Sequence, residues 1–325
     1  MPNNNKVYLV TGANVGLGKE TVRQLALLPG TRRVYLACRS KDKAETAMEE
    51  LVMEHGVDRN RLAFVRFDAS ESQTEIRRAV ESTAWLAQDD DDDDDGIDGL
   101  VLNAGGWGHD LSFRPVRPNG VLNIVQINLL GHLHLLEALS DRLHRKCRIV
   151  YSGTEGARGI LCIVPTPTFV PTVDAVQEQL VSCRNLMSSY TTTKGLAALY
   201  FAALSRQRRE WHTLVVSPGG TMGTAIMDQA GAPLFLRIFP SLLKVLIELL
   251  GIVHSVEVGA KRYVDAVVGN WNDRFESGTF VASTRLVTGQ VCDQSTLSCG
   301  RQYGDKKLQD VVYRVLQKYV MRSPS

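Results

Sequence analysis

The sequence lacks a Cys-x-x-Cys pair, an excess of charge of one sign, and an uncharged apolar run long enough to cross a membrane. Its six cysteines are scattered over 325 residues, which is typical of reduced, packed thiols in a cytosolic protein and argues against a metal site. Lys plus Arg number 37 and Asp plus Glu 35, so the net charge of +2 gives no reason to expect nucleic acid as a partner. No basic and then apolar leader precedes the first strand pattern, so a cytoplasmic location without a signal or transit peptide is expected.

The most apolar segment runs from Pro233 to Val253, within a predicted lid at about 222–255. A membrane-spanning helix needs about 20 nearly uncharged residues, and this segment is interrupted by charges and a proline. We therefore expect a lid over a ligand site or an amphipathic segment in peripheral contact with a membrane, and a homo-oligomer interface is the third alternative. The interrupting residues are Arg237, Pro240, Lys244 and Glu248.

Strand-like and helix-like patterns alternate along the chain. Short apolar runs such as Val7–Val10 are typical of strands buried on both faces, and amphipathic stretches such as Lys41–His55 are typical of helices that cover a sheet. This alternation predicts an α/β fold of Rossmann type, with a doubly wound parallel sheet and helices on both faces. We expect one domain over 1–285 and a C-terminal extension over 286–325 that ends in a helix.

The same patterns predict where each strand and helix begins and ends. A run of seven aspartates, Asp89–Asp95, predicts a solvated loop between the helix Gln73–Gln88 and the strand Ile97–Leu102. The predicted strands are Lys6–Thr11, Arg33–Cys38, Leu62–Phe67, Ile97–Leu102, Cys147–Tyr151, Thr213–Val216 and Gly278–Ser283. The predicted later helices are Gln73–Gln88, Asn119–His144, Met187–Arg209, Val256–Val268 and Asp305–Tyr319.

A glycine-rich turn at 11–18 separates the first strand from the first helix. Glycines let the backbone approach phosphate groups, and the amino end of the following helix offers N–H groups and the positive end of its dipole. The order of strand, turn and helix therefore predicts a dinucleotide site, although the spacing is Gly-x-x-x-Gly-x-Gly rather than Gly-x-Gly-x-x-Gly. A glycine turn without a ligand is the alternative. The candidate binding residues are Gly12, Asn14, Gly16, Leu17 and Gly18.

Charged residues follow the second and third strands. Arg39 stands where an acidic residue would bind the ribose 2′-hydroxyl and a basic residue accommodates a 2′-phosphate, and no carboxylate follows until Asp42. The sequence therefore favours NADP(H) over NAD(H), with a solvated arginine as the alternative. Asp68 could bind the adenine amino group or cap the next turn, and the sequence favours neither.

Small residues end the fourth strand, at Asn103, Ala104 and Gly105. Because ligands of doubly wound sheets bind outside the carboxyl ends of the strands, small side chains there leave room for a ligand. Asn128 lies inside a predicted helix, where asparagine is usually unfavourable. We therefore expect its side chain to face the site and to hold a water molecule.

Tyr190 and Lys194 lie four residues apart in a predicted helix, so their side chains share one face, about one turn apart. A free tyrosine hydroxyl has a pKa of about 10. A fixed ammonium close by would stabilise the phenolate and lower that pKa, which would let the pair exchange protons near neutral pH. The alternative is an exposed tyrosine and lysine on an amphipathic helix.

Together, the glycine turn, the Asn-Ala-Gly loop, the polar residues after the fifth strand and the Tyr-x-x-x-Lys pair resemble the short-chain dehydrogenase/reductase family over about 6–283. The family usually has a serine at its catalytic hydroxyl position, and both Ser152 and Thr154 are available here, with the count along the strand favouring Thr154. By that resemblance the catalytic residues would be Asn128, Thr154, Tyr190 and Lys194, and Tyr190, Lys194, Pro218, Gly219 and Thr221 would contact the cofactor.

Within that family the chain is similar to the subgroup of retinol dehydrogenases and light-dependent protochlorophyllide reductases, in segments 37–40, 128–132, 233–240 and 257–262. The resemblance implies hydride transfer between the nicotinamide of NADP(H) and a hydrophobic carbonyl, alcohol or conjugated C=C substrate, with Tyr190 as acid or base. A protochlorophyllide reductase-like activity is one alternative. A catalytically silent NADP-binding sensor or interaction protein is the other.

Overall fold

An eight-stranded sheet forms the centre of the computed structural model. The structure describes residues 5–85, 96–106, 115–116, 120–160, 164–182, 185–221 and 253–321. The strands are β1 (Lys6–Thr11), β2 (Thr31–Cys38), β3 (Leu62–Arg66), β4 (Ile97–Leu102), β5 (Pro115–Val116), β6 (Val121–Leu122), β7 (Leu143–Ser152), β8 (His212–Val216), β9 (Phe280–Arg285) and β10 (Thr288–Asp293). The sheet order is β10-β9-β8-β7-β4-β1-β2-β3, with β5 and β6 as a separate pair. Neighbours in the large sheet are parallel except β9 and β10, and the chain winds outward in both directions from β1 and β4.

Helices cover both faces of this sheet. Adjacent strand residues face opposite ways, and fully buried Leu9 packs in one apolar core while fully buried Val10 packs in the other. This arrangement confirms the predicted doubly wound α/β fold. The helices are α1 (Gly16–Ala26), α2 (Lys41–His55), α3 (Gln73–Glu81), α4 (Asn123–Val125, Gln126–Leu130 and Gly131–Ala138 in succession), α5 (Val173–Val181), α6 (Leu186–Gln207), α7 (Val256–Val268) and α8 (Lys306–Val320). α1, α2 and α7 contribute to the core around Val10, and the other helices to the core around Leu9.

The predicted single helix Asn119–His144 is wrong. Within the described residues this stretch holds β6, α4 and the first residues of β7. β7 begins at Leu143 because Leu143 pairs with Ile97 of β4, and such long-range pairing overrides a local helical pattern. α4 changes to π pitch over Gln126–Leu130, a feature often found at functional sites.

Helix α3 is shorter than the predicted Gln73–Gln88, since it ends at Glu81. The side-chain hydroxyls of Ser82 and Thr83 donate to the Ala79 carbonyl at 3.1 and 2.8 Å. Hydroxyl side chains that bond the local backbone in this way compete with continuation of a helix. Local side-chain chemistry therefore ends this helix, although the apolar periodicity extends further.

Residues 286–321 add elements to the same fold. β10 pairs antiparallel with β9, so the strand predicted at Gly278–Ser283 is not the last one. α8 is the predicted terminal helix and packs on α6, where the rings of Tyr200 and Tyr313 stack at 5.2 Å. Gln317 Nε2 also donates to the Tyr200 hydroxyl at 2.8 Å. The C-terminal residues thus complete one edge of the sheet and cover the helix that carries Tyr190.

Two predicted features lie outside the described residues. They are the aspartate run Asp89–Asp95 and the lid at 222–255, of which only 253–255 are described. In the part of the chain that the structure describes, no helix combines the length and the apolar character that crossing a membrane requires.

Candidate active site

The turn at 11–18 has the backbone that its glycines predict. Gly12 and Gly16 have φ of 64° and 56°, in the left-handed region that favours glycine. A Cβ added to Gly18 would lie 2.2 Å from the Gly12 carbonyl oxygen, so a side chain at Gly18 would not fit. The N-cap residue of α1 is Val15, whose side chain cannot cap the helix, and the first turn of α1 contains no acidic residue. The amino end of α1 is therefore suited to hold an anionic phosphate, which fits a dinucleotide cofactor. The other candidates of this turn, Asn14 and Leu17, are half-buried.

The loop after β4 lies directly beside this turn. Asn103 Nδ2 donates to the Thr11 carbonyl at 3.0 Å, and the Ala104 N–H donates to the Thr11 hydroxyl oxygen at 2.8 Å. A Cβ added to Gly12 would lie 3.0 Å from Ala104 Cα. The structure therefore brings Asn103 and Ala104 against the glycine turn. Fully buried Thr11 makes this contact but is not among the predicted site residues, and its sequence signal is only a hydroxyl at the end of an apolar strand.

Arg39 and Asp68 differ in what holds their side chains. Arg39 is exposed at the end of β2, and no hydrogen bond or ion pair to another described residue engages its guanidinium. Asp68 Oδ1 accepts from the Ser70 N–H at 2.9 Å and from the Ser70 hydroxyl at 2.7 Å. Asp68 therefore caps the turn after β3, which was one of its two expected roles. Adenine binding by Asp68 and phosphate binding by Arg39 stay predictions.

A tight turn follows β8 at the same edge of the sheet. Gly219 has φ of 82°, and its N–H donates to the Ser217 hydroxyl oxygen at 3.2 Å. A Cβ added to Gly219 would lie 2.4 Å from His254 Nε2, so a side chain there is excluded by space as well as by φ. The Thr221 hydroxyl donates to the Gly219 carbonyl at 3.2 Å. Pro218, Gly219 and Thr221 thus form a compact turn at the carboxyl end of β8.

Asn128 lies in the π-helical turn of α4 and is fully buried. Its Oδ1 accepts from the Gly106 N–H at 2.9 Å, and its Nδ2 donates to the carbonyls of Gly106 and Ile124, both at 2.9 Å. Both amide hydrogens therefore have protein acceptors. The amide thus fixes the loop after β4, and the prediction that this side chain also holds a water molecule stays a prediction.

Lys194 extends from α6 to the residues that end β4 and β7. Its Nζ donates to the Ser152 carbonyl at 2.8 Å and lies 4.6 Å from the ring centroid of Tyr151 and 5.7 Å from that of Tyr190. A Cβ added to Gly105 would lie 2.5 Å from Asn128 Oδ1 and 3.9 Å from Lys194 Nζ. The structure thus brings Tyr190, Lys194 and Asn128 together next to Gly105, one of the predicted cofactor-binding residues.

Burial is the largest cause of the pKa shifts of Tyr190 and Lys194. Burial raises the pKa of the Tyr190 hydroxyl above its ordinary value, and the Glu155 carboxylate raises it further. Burial also lowers the pKa of the Lys194 ammonium to about 7. Both shifts arise because burial disfavours the charged form of each group. The predicted lowering of the Tyr190 pKa is therefore wrong in this structure.

The two candidate hydroxyls, that of Ser152 at the end of β7 and that of Thr154 just beyond it, face different surroundings. The Ser152 hydroxyl bonds the Tyr263 hydroxyl of α7 at 2.7 Å, on the face of the sheet away from Lys194. The Thr154 hydroxyl oxygen accepts from the Gly156 N–H at 3.2 Å, which leaves its hydrogen available as a donor. A Cβ added to Gly156 would lie 2.8 Å from Thr191 Cγ2 and 3.5 Å from the Thr154 hydroxyl oxygen, so Thr154 lies near the residue that follows Tyr190.

Buried Glu155 connects three strand ends of the site and was not predicted from the sequence. Its carboxylate accepts from the Ser283 hydroxyl at 2.9 Å and from the Ser217 hydroxyl, and it lies 3.6 Å from Arg262 Nη1. A glutamate after Thr154 in an irregular stretch has the sequence pattern of an exposed loop residue. Only the tertiary structure reveals its buried partners.

Several known proteins are similar to this chain in sequence. A sequence model described as short chain dehydrogenase matches residues 6–157. Retinol dehydrogenase 12 from Homo sapiens is 34% identical over 141 residues, which cover 42% of this chain and 39% of that protein. Dehydrogenase/reductase SDR family member 13 from Bos taurus is 31% identical over 245 residues, which cover 74% of this chain and 56% of that protein. The chain therefore spans only about half of these curated relatives, or less.

Among solved structures, salutaridine reductase from Papaver somniferum superposes with a TM-score of 0.58 at 17% identity, covering 85% of this chain and 99% of that one. Identity this low supports the fold alone. The matched sequence, the doubly wound sheet and the curated relatives agree with one another. The chain belongs to the short-chain dehydrogenase/reductase family of oxidoreductases, and within that family it is similar to the retinol dehydrogenases.

Proposed function

We propose that this chain is an NADP(H)-dependent oxidoreductase that transfers a hydride between nicotinamide C4 and a hydrophobic carbonyl or alcohol, or a conjugated C=C bond. The observation that carries the proposal is the meeting of Lys194, Asn128 and Gly105 next to Tyr190 at the edge of the sheet that holds the glycine turn. Family membership supports a nicotinamide cofactor. The exposed Arg39, which is free of competing partners among the described residues, supports the 2′-phosphorylated form.

When bound, the nicotinamide would supply or accept the hydride. The Thr154 hydroxyl, whose hydrogen is available, would donate to the substrate oxygen. The Tyr190 hydroxyl, whose pKa burial raises further above neutral pH, is protonated and would give its proton to that oxygen during reduction. Lys194, when charged, would bind the ribose hydroxyls and stabilise the phenolate that Tyr190 becomes.

A hydrophobic substrate is supported by two features. Retinol dehydrogenase 12 is among the relatives, and the apolar segment 233–253 follows the turn after β8 in the chain. An apolar segment of this length could cover such a substrate, contact a membrane surface or join two copies of the chain. We propose the first role as primary, and peripheral membrane contact and homo-oligomer formation as secondary.

A binding measurement followed by a turnover measurement tests the proposal. Fluorescence titration with NADPH and NADH should show tighter binding of NADPH, and turnover should then be found in a panel of short-chain and long-chain aldehydes and ketones. We expect the long-chain substrates to have the higher kcat/KM, because they bury more apolar surface. Tighter binding of NADH, or turnover limited to small polar carbonyls, would contradict the proposal.

A catalytically silent NADP-binding protein is the second candidate. It is favoured by the burial of Lys194, whose ammonium donates to the Ser152 carbonyl at 2.8 Å. Burial lowers the pKa of Lys194 and raises that of Tyr190, which is opposite to the usual activation of a tyrosine by a nearby ammonium. The same experiment separates the two candidates. Tight NADPH binding without turnover of any carbonyl in the panel would favour the silent protein.

A further inference from the structure

Tyr151 of β7 contacts two of the residues that we propose to act in the site. Lys194 Nζ lies 4.6 Å from the centroid of the Tyr151 ring. The Tyr151 hydroxyl donates to the main-chain carbonyl of Asn128 in the π-helical turn. The side chain is fully buried, at 0% exposure. In the sequence it is merely one more apolar residue of a buried strand.

Neighbouring aromatic rings fix the orientation of Tyr151. The ring of Phe201 lies 5.2 Å from it in a tilted contact, and the ring of His132 lies 5.7 Å from it edge-on. Closely packed aromatic rings cannot turn without displacing their neighbours. Tyr151 therefore presents its ring and its hydroxyl at fixed positions.

Lys194 needs such a fixed contact because few other groups hold its ammonium. An ammonium has three donors, and one of them bonds the Ser152 carbonyl at 2.8 Å. No carboxylate in the described part of the chain forms an ion pair with Lys194. The face of an aromatic ring attracts a cation, most strongly where water is excluded. The Tyr151 ring is thus a main source of stabilisation for the charged form of Lys194.

Asn128 transmits the second contact to the loop after β4. Its side-chain amide bonds both the N–H and the carbonyl of Gly106, each at 2.9 Å. Its main-chain carbonyl receives the Tyr151 hydroxyl. One tyrosine therefore connects β7 with the ammonium of Lys194 and, through Asn128, with the loop that includes Gly105.

We propose that Tyr151 is a positioning residue that fixes the Lys194 ammonium with its ring and the Asn128 turn with its hydroxyl. This inference rests on the proposed function, because it concerns how the same acid–base site is held together. The two contacts use different parts of one side chain, so substitutions can remove them separately.

Three variants separate the two contacts. Tyr151→Phe keeps the ring and removes the hydroxyl, and Tyr151→Leu removes both. Tyr263→Phe is the matched control, since Tyr263 is also fully buried and its hydroxyl bonds Ser152 at 2.7 Å on the other face of β7. The other titratable groups around Lys194 stay the same in all three variants. They are Tyr190, His132 and, beside Tyr190, Glu155.

NADPH binding measured by fluorescence over a range of pH reports on Lys194 without turnover. NADPH affinity should decrease as pH rises, because Lys194 loses its charge. In Tyr151→Leu we expect this decrease at a pH about one unit lower than in wild type, because the ring no longer stabilises the charged ammonium. Tyr151→Phe should keep the wild-type pH dependence. It should lower kcat about three- to tenfold with little change in KM, as expected for one lost hydrogen bond at a positioned group. Tyr263→Phe should match wild type in both measurements.

If NADPH binding depends on pH in Tyr151→Leu as it does in Tyr263→Phe, the ring does not stabilise the Lys194 ammonium. If Tyr151→Phe has the wild-type kcat, the hydroxyl does not position the Asn128 turn. If Tyr151→Leu does not fold, Tyr151→Met takes its place as the variant without a ring, and Tyr151→Phe tests the hydroxyl contact as before. Failure of the proposed function is distinguishable, because wild type would then bind NADPH and turn over no carbonyl. The pH dependence of NADPH binding in the variants would still test the contact between Tyr151 and Lys194.

Discussion

The two sides of the candidate site are made from different parts of the chain. The cofactor side consists mainly of backbone, namely the turn at 11–18, the amino end of α1 and Gly219. The acid–base side consists of buried side chains from separate elements, namely Lys194, Asn128 and Tyr151. A site made of backbone depends on the absence of Cβ atoms, whereas a site made of side chains depends on which distant residues meet. Substitutions on the first side should act through shape and binding, and substitutions on the second through proton transfer.

Tyr190→Phe should have the largest effect on turnover. Losing the hydroxyl removes the proposed proton donor, which is worth about 10²–10⁴-fold in rate, and changes little in shape. We expect NADPH affinity to stay within a few fold of wild type, as measured by fluorescence. Tyr200→Phe is the control on the same helix, because the Tyr200 hydroxyl bonds Gln317 at 2.8 Å away from the site. Wild-type turnover in Tyr190→Phe would show that Tyr190 is not the proton donor and that the acid–base side lacks its proposed function.

Lys194→Met should change the pH dependence of stability in the free protein. The pKa of Lys194 is lowered to about 7 by burial, so between about 7 and the ordinary value of 10.5 the unfolded chain binds more protons than the folded one. The free energy of unfolding of wild type should therefore rise with pH through this window. The variant has no ammonium to bury, so we expect it to be more stable than wild type by about 3–5 kcal/mol below pH 7, with the difference vanishing near pH 10.

Urea unfolding at about pH 6 and about pH 9 measures this difference. Lys261→Met is the control, since Lys261 is exposed and pairs with Asp265 at 2.8 Å on α7. Its stability relative to wild type should show no comparable dependence on pH. A constant difference between Lys194→Met and wild type at both pH values would mean that Lys194 is not held in a desolvated environment.

Much of the cofactor side could be predicted from the sequence, because glycine spacing reports backbone conformation directly. The positive φ angles of Gly12 and Gly16 and the close approach at Gly18 are of this kind. The bounds of α2 also match the prediction, because Ser40 caps its start and Gly56, with φ of 67°, ends it. Such local signals are properties of neighbouring residues and need no knowledge of the tertiary structure.

The acid–base side could be predicted only in part. Tyr190 and Lys194 share a helix face, so their spacing was sufficient to pair them. The contact of Asn128 with the loop after β4 was not predicted, because its partner Gly106 lies on another element. Tyr151 and Glu155 were missed, since nothing in their local sequence shows that one meets Lys194 and the other lies near Arg262. Burial also reversed the expected pKa shift of Tyr190, which spacing alone cannot reveal.

Gly18→Ala tests whether the cofactor side depends on backbone approach. The new Cβ would lie 2.2 Å from the Gly12 carbonyl oxygen, so the turn must move. We expect a loss of about 3 kcal/mol in the free energy of unfolding and loss of measurable NADPH binding.

Gly56→Ala is the control, because Gly56 has positive φ but nothing within 4 Å of an added Cβ. It should cost about 1–2 kcal/mol in stability and leave NADPH affinity unchanged. Equal NADPH affinity in both variants would contradict a phosphate-binding role for this turn.

Arg39→Ala should have the smallest effect and tests the one part of the cofactor side that uses a charged side chain. Arg39 is exposed and without a partner among the described residues, so its removal should leave the free energy of unfolding nearly unchanged. If its guanidinium binds the 2′-phosphate, NADPH affinity should fall by about 1.5–3 kcal/mol, the range for charge-assisted hydrogen bonds. NADH affinity should stay the same, because NADH lacks that phosphate.

Arg66→Ala is the matched control, since Arg66 is exposed at the end of β3 and pairs with Glu71. Parallel losses for NADPH and NADH in Arg39→Ala would show that Arg39 supports the turn rather than the phosphate, and the cofactor side would then consist of backbone alone.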